Sequence, residues 1–412
     1  MITAQAIQAS LMIEETCTSK LKLGQYIVKI GKQKGDFTLS DEGHITSQAI
    51  IEHFRIKGVS TVFIDPLKEN KKTDDPSPRS VGILHSKGLL GRLLPPKAPS
   101  IADISQASKI FSDSKIIQQK ILTDALHDTP LDVEPVREVT DKAIEAIFNN
   151  PDALACVINI RMKDEYLLEH SISVSVLMGI FSRFLNIDKT IIQQLVIGAF
   201  LHDVGKIKIP DAILNKPGKL TPFEFEQMKR HINHSIDLIT NISGLSPLSI
   251  EVASLHHEKL NGNGYPDNKK SAEISHYGRM ITICDIFDAL TTNRIYKDSY
   301  SPIKAFNILQ KLASNNQLDV ELVNLFIKCM GVYPVGSLVK LDSNKLAIVE
   351  GRNQNSPTQP LVRSFYSVGN KRYVMTKDID LSKGNDKIIS AVRADDFNLD
   401  MNKIIHHLLM QA

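Results

Sequence analysis

Leu201-His202-Asp203-Val204-Gly205-Lys206 ends an apolar helical stretch, and this segment decides how the central part of the chain folds. The inward face of the predicted helix is formed by residues at helical spacing: Ile192, Leu195, Val196 and Ala199. A carboxylate carried into such surroundings costs several kcal/mol unless it is paired or ligated. A His-Asp pair standing alone would commonly form a surface hydrogen bond, but further donors along the chain favour a metal.

Adjacent histidine and aspartate side chains can serve two metal ions at once. The imidazole of His202 would bind one ion, and the two carboxylate oxygens of Asp203 would bridge to a second ion roughly 4 Å away. Gly205 is expected to end the helix in a left-handed turn. Lys206 would then bring a cation beside the site, which suits a phosphate, so we predict catalytic roles for Asp203 and Lys206.

Histidines are concentrated in the same region, because seven of the thirteen lie between His170 and His276. No structural demand gathers so many imidazoles around carboxylates, whereas a pair of divalent metals needs nitrogen and oxygen donors. The candidate metal ligands are His170, His202, Asp203, His231, His256, His257 and Asp285.

His231 is predicted on a helix with a well-marked start. Thr221-Pro222-Phe223-Glu224 supplies an N-cap, a proline at the first helical position and the glutamate of a capping box. His231 borders the apolar stripe of that helix and can point inward. His234 competes for the same role, and we prefer His231.

His256 and His257 are predicted to close a helix from Leu248 to Glu258. Adjacent residues diverge by about 100° on a helix, so both can bind metal only if the helix ends there. The following loop, residues 259–266, contains glycines that favour such an ending. Its backbone N–H groups could meet a phosphate or a purine edge, which makes Gly264-Tyr265-Pro266 a candidate substrate-binding segment.

Asp285 and Asp288 share one face of a helix whose core stripe includes Phe287. We predict Asp285 as a metal ligand and Asp288 as a residue that orients a ligand or a helix end. Arg294 and Lys297 follow, and together with Lys206 they would outline a site for two phosphates. Solvated cations at a helix end are the alternative.

The composition describes a globular chain without a strong charge. At 412 residues it is too long for one core, and its net charge of +3 gives no global case for binding duplex nucleic acid or an anionic membrane. Four scattered cysteines fit a reducing compartment. No apolar run is long enough for a membrane span, and a cytoplasmic location is expected.

The predicted fold class is multidomain and mainly α. A small α/β module with a Pro- and Lys-rich linker is expected over residues 1–100, and connecting helices over 101–152. An all-α helical bundle with the metal ligands is expected over 153–332, and a small β-rich appendage over 333–412. The linker from Lys68 to Ser100 contains the basic run Lys68 to Lys72, which we expect to be a solvated loop.

The residues over roughly Leu154 to Cys329 resemble the HD-GYP subgroup of HD-domain phosphohydrolases. The resemblance rests on HDVGKIKIPDAILNKPGKLT from His202, on His231, on HHEKLNGNGYP from His256, and on the run from Gly278 through DIFDALTTNRIYK to Lys297. The first 150 residues are similar to an uncharacterised domain often found before HD-GYP domains. The resemblance implies hydrolysis of cyclic dinucleotides, chiefly cyclic di-GMP to linear pGpG or GMP.

The resemblance also implies two divalent ions, with iron or manganese expected. His170, His202, Asp203 and Asp285 would hold one ion, and Asp203, His231, His256 and His257 the other. Lys206, Arg294 and Lys297 would bind phosphates. Some members hold a third metal through a glutamate, but that position here is Tyr166.

One departure and several alternatives stay open. The family's Asp-Gly-x-Gly-Tyr-Pro is Asn261-Gly-Asn-Gly-Tyr-Pro266 here, so a charge is missing from the loop. The chain could instead hydrolyse 3′,3′-cyclic GMP-AMP, or be a catalytically silent cyclic-dinucleotide receptor that binds a partner through this loop, such as a diguanylate cyclase. A homodimer is also left open.

Overall fold

The computed structural model describes residues 14–22, 25–34, 43–45, 51, 54–55, 58–64, 98–160, 166–292, 300–353, 356–400, 403–404 and 407–408. The chain divides into two compact units, Met1–Leu94 and Pro95–Ala412. Within the ranges just given, no helix combines the length and the apolar character needed to cross a bilayer.

The N-terminal unit contains an antiparallel sheet. Its strands are β1 (Glu14–Cys17), β2 (Tyr26–Ile30), β3 (Gly43–His44) and β4 (Thr61–Ile64), in the order β1-β4-β2-β3. Strand side chains alternate between the two faces, so Ile27, Val62 and Ile64 pack with Ile51 and Phe54 in a small core. Most of the predicted linker, including Lys68 to Lys72, lies outside the described residues.

The second unit begins with twelve described helices. They are α1 (Ile101–Leu126), α2 (Glu134–Asn149), α3 (Pro151–Ile160), α4 (Tyr166–Phe184), α5 (Lys189–Leu201), α6 (Asp211–Leu214), α7 (Pro222–Lys229), α8 (His231–Thr240), α9 (Pro247–Leu255), α10 (His276–Thr291), α11 (Pro302–Ser314) and α12 (Val320–Met330). A short 3₁₀ turn, Val204–Lys208, follows α5.

Aromatic packing ties four of these helices together. The ring of Phe287 on α10 stacks on Phe306 of α11 with 5.1 Å between centroids, and meets Phe326 of α12 edge-on at 5.2 Å. Phe326 also contacts Phe181 of α4 at 5.2 Å. Such pairs contribute about 0.5–1.5 kcal/mol each beyond the burial of their area. This cluster fixes α4 against α10, the two helices that carry His170 and Asp285.

A five-stranded antiparallel sheet follows the helices. Its strands are β5 (Leu338–Leu341), β6 (Lys345–Gly351), β7 (Leu361–Ser367), β8 (Arg372–Asp380) and β9 (Ile388–Val392), in the order β8-β7-β6-β5-β9. Alternating apolar residues over 336–341, 346–350, 361–366 and 372–375 predict the first four. β9 pairs with β5, which is distant in sequence, and such long-range pairing leaves no local signal. The predicted fold class is confirmed, while the predicted domain boundaries stay predictions.

A buried ion pair joins the sheet to the helical bundle. Arg352, just after β6, places Nη2 2.7 Å from Oδ1 of Asp152 at the start of α3, and its Nη1 donates to the carbonyl of Cys329 near the end of α12. Asp152 is only 3% exposed. Burial raises the pKa of Asp152, and the charge of Arg352 opposes that rise.

Arg352→Ala is expected to destabilise the protein by about 3–5 kcal/mol, because it leaves a buried carboxylate without its counter-charge. Replacing both Asp152 and Arg352 by leucine is expected to cost less than the single change. Lys383→Ala, which removes an exposed ion pair with Asp380, is the control. Chemical unfolding of the three variants checks this, and equal midpoints for Arg352→Ala and Lys383→Ala would contradict it.

Candidate metal centre

The seven predicted metal donors meet at one place in the helical bundle. They come from five elements: His170 from α4, His202 and Asp203 from the end of α5, His231 from the first turn of α8, His256 and His257 from the end of α9, and Asp285 from α10. All of them are buried except His257, whose side chain is 24% exposed. Helix ends supply most of the donors, because there the chain changes direction and adjacent side chains can converge.

Gly205 has a different conformation from the one predicted. It lies in the 3₁₀ turn after Asp203, and the described residues with positive φ do not include it. A Cβ at this position would stand 2.2 Å from the carbonyl oxygen of His231 and 2.3 Å from the nitrogen of Ser235. The glycine is therefore required by the close approach of α8, and its N–H donates to the Ser235 hydroxyl at 2.8 Å.

Two helices differ from their predicted extent. The helix that begins at the Thr221 capping box ends at Lys229, and His231 opens a separate helix after Arg230. The carbonyl of Met228 accepts a hydrogen bond from Nδ1 of His231 at this junction. The predicted helix to Glu258 ends at Leu255, which frees His256 and His257 from helical spacing.

The Asp203 carboxylate lies at the centre of the cluster, with imidazoles on both of its oxygens. Oδ2 is 3.5 Å from Nε2 of His170 and 3.3 Å from Nε2 of His202. Oδ1 is 3.4 Å from Nε2 of His231 and 3.7 Å from Nε2 of His256. The carboxylate thus separates two groups of nitrogen donors, the arrangement needed for a bridging ligand.

Backbone carbonyls orient three of the imidazoles in the same way. Nδ1 of His202 donates to the carbonyl of Ala199 at 2.7 Å, and Nδ1 of His256 donates to that of Ala253 at 2.7 Å. His231 makes the equivalent bond with Met228, three residues earlier, at 2.6 Å. A proton fixed on Nδ1 leaves the lone pair on Nε2, which faces the cluster.

His170 is oriented by carboxylates instead. Its Nδ1 lies 2.8 Å from Oδ2 of Asp288, and its Nε2 lies 3.0 Å from Oδ1 of Asp285. Burial opposes the charged form of His170, but the hydrogen bonds to Asp285 and Asp288 raise its pKa to about 9. A metal bound at Nε2 would displace a proton. Asp288 also accepts from the hydroxyl of Thr292 at 3.2 Å, so it orients both a histidine and a helix end.

The protonation states of the other side chains suit metal ligands. Burial lowers the pKa of His231 to about 4 and that of His257 to about 3, so both imidazoles are neutral at pH 7. Burial also lowers the pKa of His256, with repulsion from His257 adding to the effect. Burial opposes ionisation of Asp203, yet the neighbouring His202 and the ammonium of Lys206 hold its pKa well below the usual range.

Two atoms at the centre test whether a metal fits. Nε2 of His202 and Oδ1 of Asp203 are buried and have no hydrogen-bond partner. An unsatisfied buried polar group costs about 1–3 kcal/mol, and more when it is charged. Three groups of donors have their ligand atoms within 4.8 Å of one another: His231, His256 and His257; His170, His202 and Asp285; and His202, Asp203 and His256. The residues therefore fit bound divalent metal.

Of the three cations predicted to bind phosphates, Lys206 lies within the described residues. Its ammonium contacts Oδ2 of Asp203, and its side chain is 15% exposed, so it borders both the metal donors and solvent. The other two predicted phosphate-binding residues, Arg294 and Lys297, lie outside the described residues.

A buried carboxylate that the sequence reasoning missed holds the loop after the histidine pair. Glu258 is 2% exposed, and it accepts the backbone N–H groups of Asp267 at 2.8 Å and of Lys269 at 3.0 Å. Gly264 packs on its backbone, where a Cβ would lie 2.5 Å from Cα of Glu258. The sequence signal that could have indicated this role is the position of Glu258, an acidic residue directly after two candidate ligand histidines.

Tyr265 lies against the metal donors. Its ring is 4.7 Å from the ring of His257, tilted by 35°, and its N–H donates to the carbonyl of His257 at 3.2 Å. In the same loop, the side-chain oxygen of Asn261 accepts from the N–H of Asn263 at 3.1 Å. An aspartate oxygen would make the same turn, so the change to asparagine keeps the local geometry.

Comparison with known proteins agrees with this geometry. The family model described as "HD domain" matches residues 156–322, which include all seven donors. The model described as "Domain of unknown function (DUF3391)" matches residues 14–136. A Pseudomonas aeruginosa protein named cyclic di-GMP phosphodiesterase PA4108 is 28% identical over 94% of each chain. The chain therefore contains an HD domain and is similar along most of its length to a protein named as a cyclic di-GMP phosphodiesterase.

Other relatives match a smaller part of the chain. A Vibrio cholerae protein named cyclic di-GMP phosphodiesterase is 30% identical over 53% of this chain and 45% of its own length. A V. cholerae protein named 3′3′-cGAMP-specific phosphodiesterase 1 is 32% identical over 40% of this chain and 38% of its own length. The solved structure of Bd1817, an HDG"Y"P protein from Bdellovibrio bacteriovorus, covers 76% of this chain and 98% of its own, at 16% identity and a TM-score of 0.46.

His231→Ala is expected to weaken Mn²⁺ binding, whereas His234→Ala, three residues on, is expected to leave it unchanged. His231 faces Asp203, and His234 is absent from the donor groups found among the described residues. A ligand that binds only the folded state stabilises it, by about 2.7 kcal/mol at a hundred times its Kd. Bound metal and the rise in Tm on adding Mn²⁺ measure the effect, and equal losses in both variants would refute the assignment.

Glu258→Ala is expected to loosen residues 259–270, because two backbone N–H groups lose their acceptor. Hydrogen exchange should become faster in that segment and remain unchanged in α4. Glu258→Gln keeps one acceptor oxygen in the same place and is expected to lose less protection. Unchanged exchange in Glu258→Ala would show that packing at Gly264 alone holds the loop.

Proposed function

We propose that this chain is a metal-dependent phosphodiesterase that hydrolyses cyclic di-GMP to linear pGpG, with further cleavage to GMP as a second step. The observation that carries the proposal is the Asp203 carboxylate, which has two histidine nitrogens near each oxygen. The family relatives named as cyclic di-GMP phosphodiesterases support the choice of substrate.

The proposed ligands divide into two sets that share Asp203. One set is His170, His202, Asp203 and Asp285, and the other is Asp203, His231, His256 and His257. Divalent ions bound there would supply Lewis acidity, neutralising the charge that develops on a phosphodiester and lowering the pKa of water. We propose two ions, iron or manganese, since mixed imidazole and carboxylate donors suit both. The buried Glu169 accepts from the ammonium of Lys115 at 3.1 Å.

The side chains around the ligands have separate tasks in this proposal. Asp203 stays ionised, because its pKa is held low, and can contribute both oxygens. Asp288 holds His170 in place through Nδ1. Lys206, which borders solvent, would meet a phosphate oxygen, and Arg294 and Lys297 are proposed to meet the second phosphate. Gly264, Tyr265 and Pro266 are proposed to border the substrate.

Hydrolysis of 3′,3′-cyclic GMP-AMP is a second candidate. It is favoured by the V. cholerae relatives named as 3′3′-cGAMP-specific phosphodiesterases, one of which is 42% identical over 24% of this chain. A catalytically silent receptor is less favoured, because a binding module has no physical reason to keep seven metal donors with two unsatisfied buried atoms at their centre. Binding of a diguanylate cyclase through the loop, and homodimerisation, stay predictions.

Asp203→Asn is expected to abolish linear product from cyclic di-GMP, because the amide offers only one acceptor oxygen and no charge. The protein is purified without oxygen, supplied with Mn²⁺ or Fe²⁺, and assayed with cyclic di-GMP and 3′,3′-cyclic GMP-AMP in parallel. The ratio of the two rates identifies the substrate. If the wild-type protein binds either nucleotide but produces no linear product, the phosphodiesterase proposal is refuted and the receptor function remains.

A further inference from the structure

An exposed phenylalanine lies beside the proposed active site. Phe225, on α7, is 43% exposed, and its ring meets that of Tyr265 edge-on with 6.1 Å between centroids. Tyr265 in turn lies on His257 at 4.7 Å. Phe225 is therefore two ring contacts from a proposed metal ligand. This continuity distinguishes it from exposed apolar residues that occur singly on most proteins.

A cation accompanies the two rings. Nζ of Lys229, one turn along α7, is 5.0 Å from the centroid of Phe225 and 5.6 Å from that of Tyr265. The same ammonium pairs with Glu226 at 2.7 Å, an exposed contact that water can replace. Together Phe225, Tyr265 and Lys229 form a surface with an apolar ring face and a hydrogen-bond donor, which we call the aromatic shelf.

The chemistry of the shelf matches a purine base. Bases stack on aromatic side chains, and truncating such a side chain costs about 1–3 kcal/mol per base. Lysine donates to O6 and N7 of guanine, whereas adenine presents a donor in place of O6. In a cyclic dinucleotide each base is attached to a sugar that carries the phosphates. A phosphate held at the metal donors therefore brings a base to the neighbouring surface.

We propose that the aromatic shelf is the subsite for one purine base of the substrate, with Phe225 stacking on the base and Lys229 favouring guanine. The inference rests on the proposed function and adds to it the residues that read the base. It assigns base recognition to Phe225 and Lys229 of α7, which lie beside Tyr265 and are not metal ligands.

Phe225→Ala is expected to raise KM for cyclic di-GMP about tenfold to a hundredfold, with kcat within about twofold of wild type. Hydrolysis of methyl p-nitrophenyl phosphate, a diester without a purine, is expected to stay nearly unchanged. Phe225→Tyr should retain KM, whereas Phe225→Leu, apolar but without a ring, should not. Phe223→Ala is the matched control, because Phe223 is on the same helix, two residues away and 71% exposed.

Lys229→Met is expected to reduce the preference for cyclic di-GMP over cyclic di-AMP, measured as a ratio of kcat/KM values. Three results would each overturn the shelf. They are equal losses of activity on cyclic di-GMP and on methyl p-nitrophenyl phosphate in Phe225→Ala, a wild-type KM in Phe225→Leu, or a raised KM in Phe223→Ala. Tm measurements on every variant identify any that fail to fold.

The failure of this inference is distinguishable from the failure of the proposed function. Affinity for cyclic di-GMP, measured by isothermal titration, supplements the kinetics. A wild-type protein that binds but does not hydrolyse, with binding weakened in Phe225→Ala, keeps the shelf and refutes the enzyme. Turnover of cyclic di-GMP that is unchanged in Phe225→Ala keeps the enzyme and refutes the shelf. A wild-type protein that neither binds nor hydrolyses cyclic di-GMP refutes both proposals.

Discussion

The buried charge of Asp203 is the constraint on which the helical bundle depends. A lone carboxylate at this depth would cost several kcal/mol, and the chain offsets that cost with imidazoles from four directions and the ammonium of Lys206. A single helix cannot surround one point, so the four imidazoles next to Asp203 come from four elements: α4, α5, α8 and α9.

The surroundings of the cluster are built to keep those groups in place. Three imidazoles are held by carbonyls three residues earlier in the chain, so their direction is set by local backbone geometry. His170 depends on a longer connection, through Asp288 and the phenylalanine contacts that fix α10 against α4. Local geometry thus orients one part of the site, and tertiary packing orients the rest.

The convergence of the seven candidate donors could be predicted from the sequence, because metal chemistry restricts residue types strongly and the motifs are long, while their roles as metal ligands stay predictions. The sequence predicted helices and strands wherever the apolar period was clear, as in α1 and β5. It was wrong at Gly205, since a glycine required by close packing against α8 looks the same as one required by a left-handed turn. Glu258 and β9 were missed because their partners are backbone groups, which a sequence does not display.

The ion pair of Arg352 has a consequence for where the catalytic module ends. The residues matched by the HD model stop at 322, and the helix α12 ends at Met330, yet a guanidinium from beyond β6 neutralises a carboxylate at the beginning of α3. The same side chain holds a carbonyl near the end of the last helix. The segment after β6 therefore connects the beginning of α3 to the end of α12. A fragment that ended at residue 322 would lack this connection between the two helices.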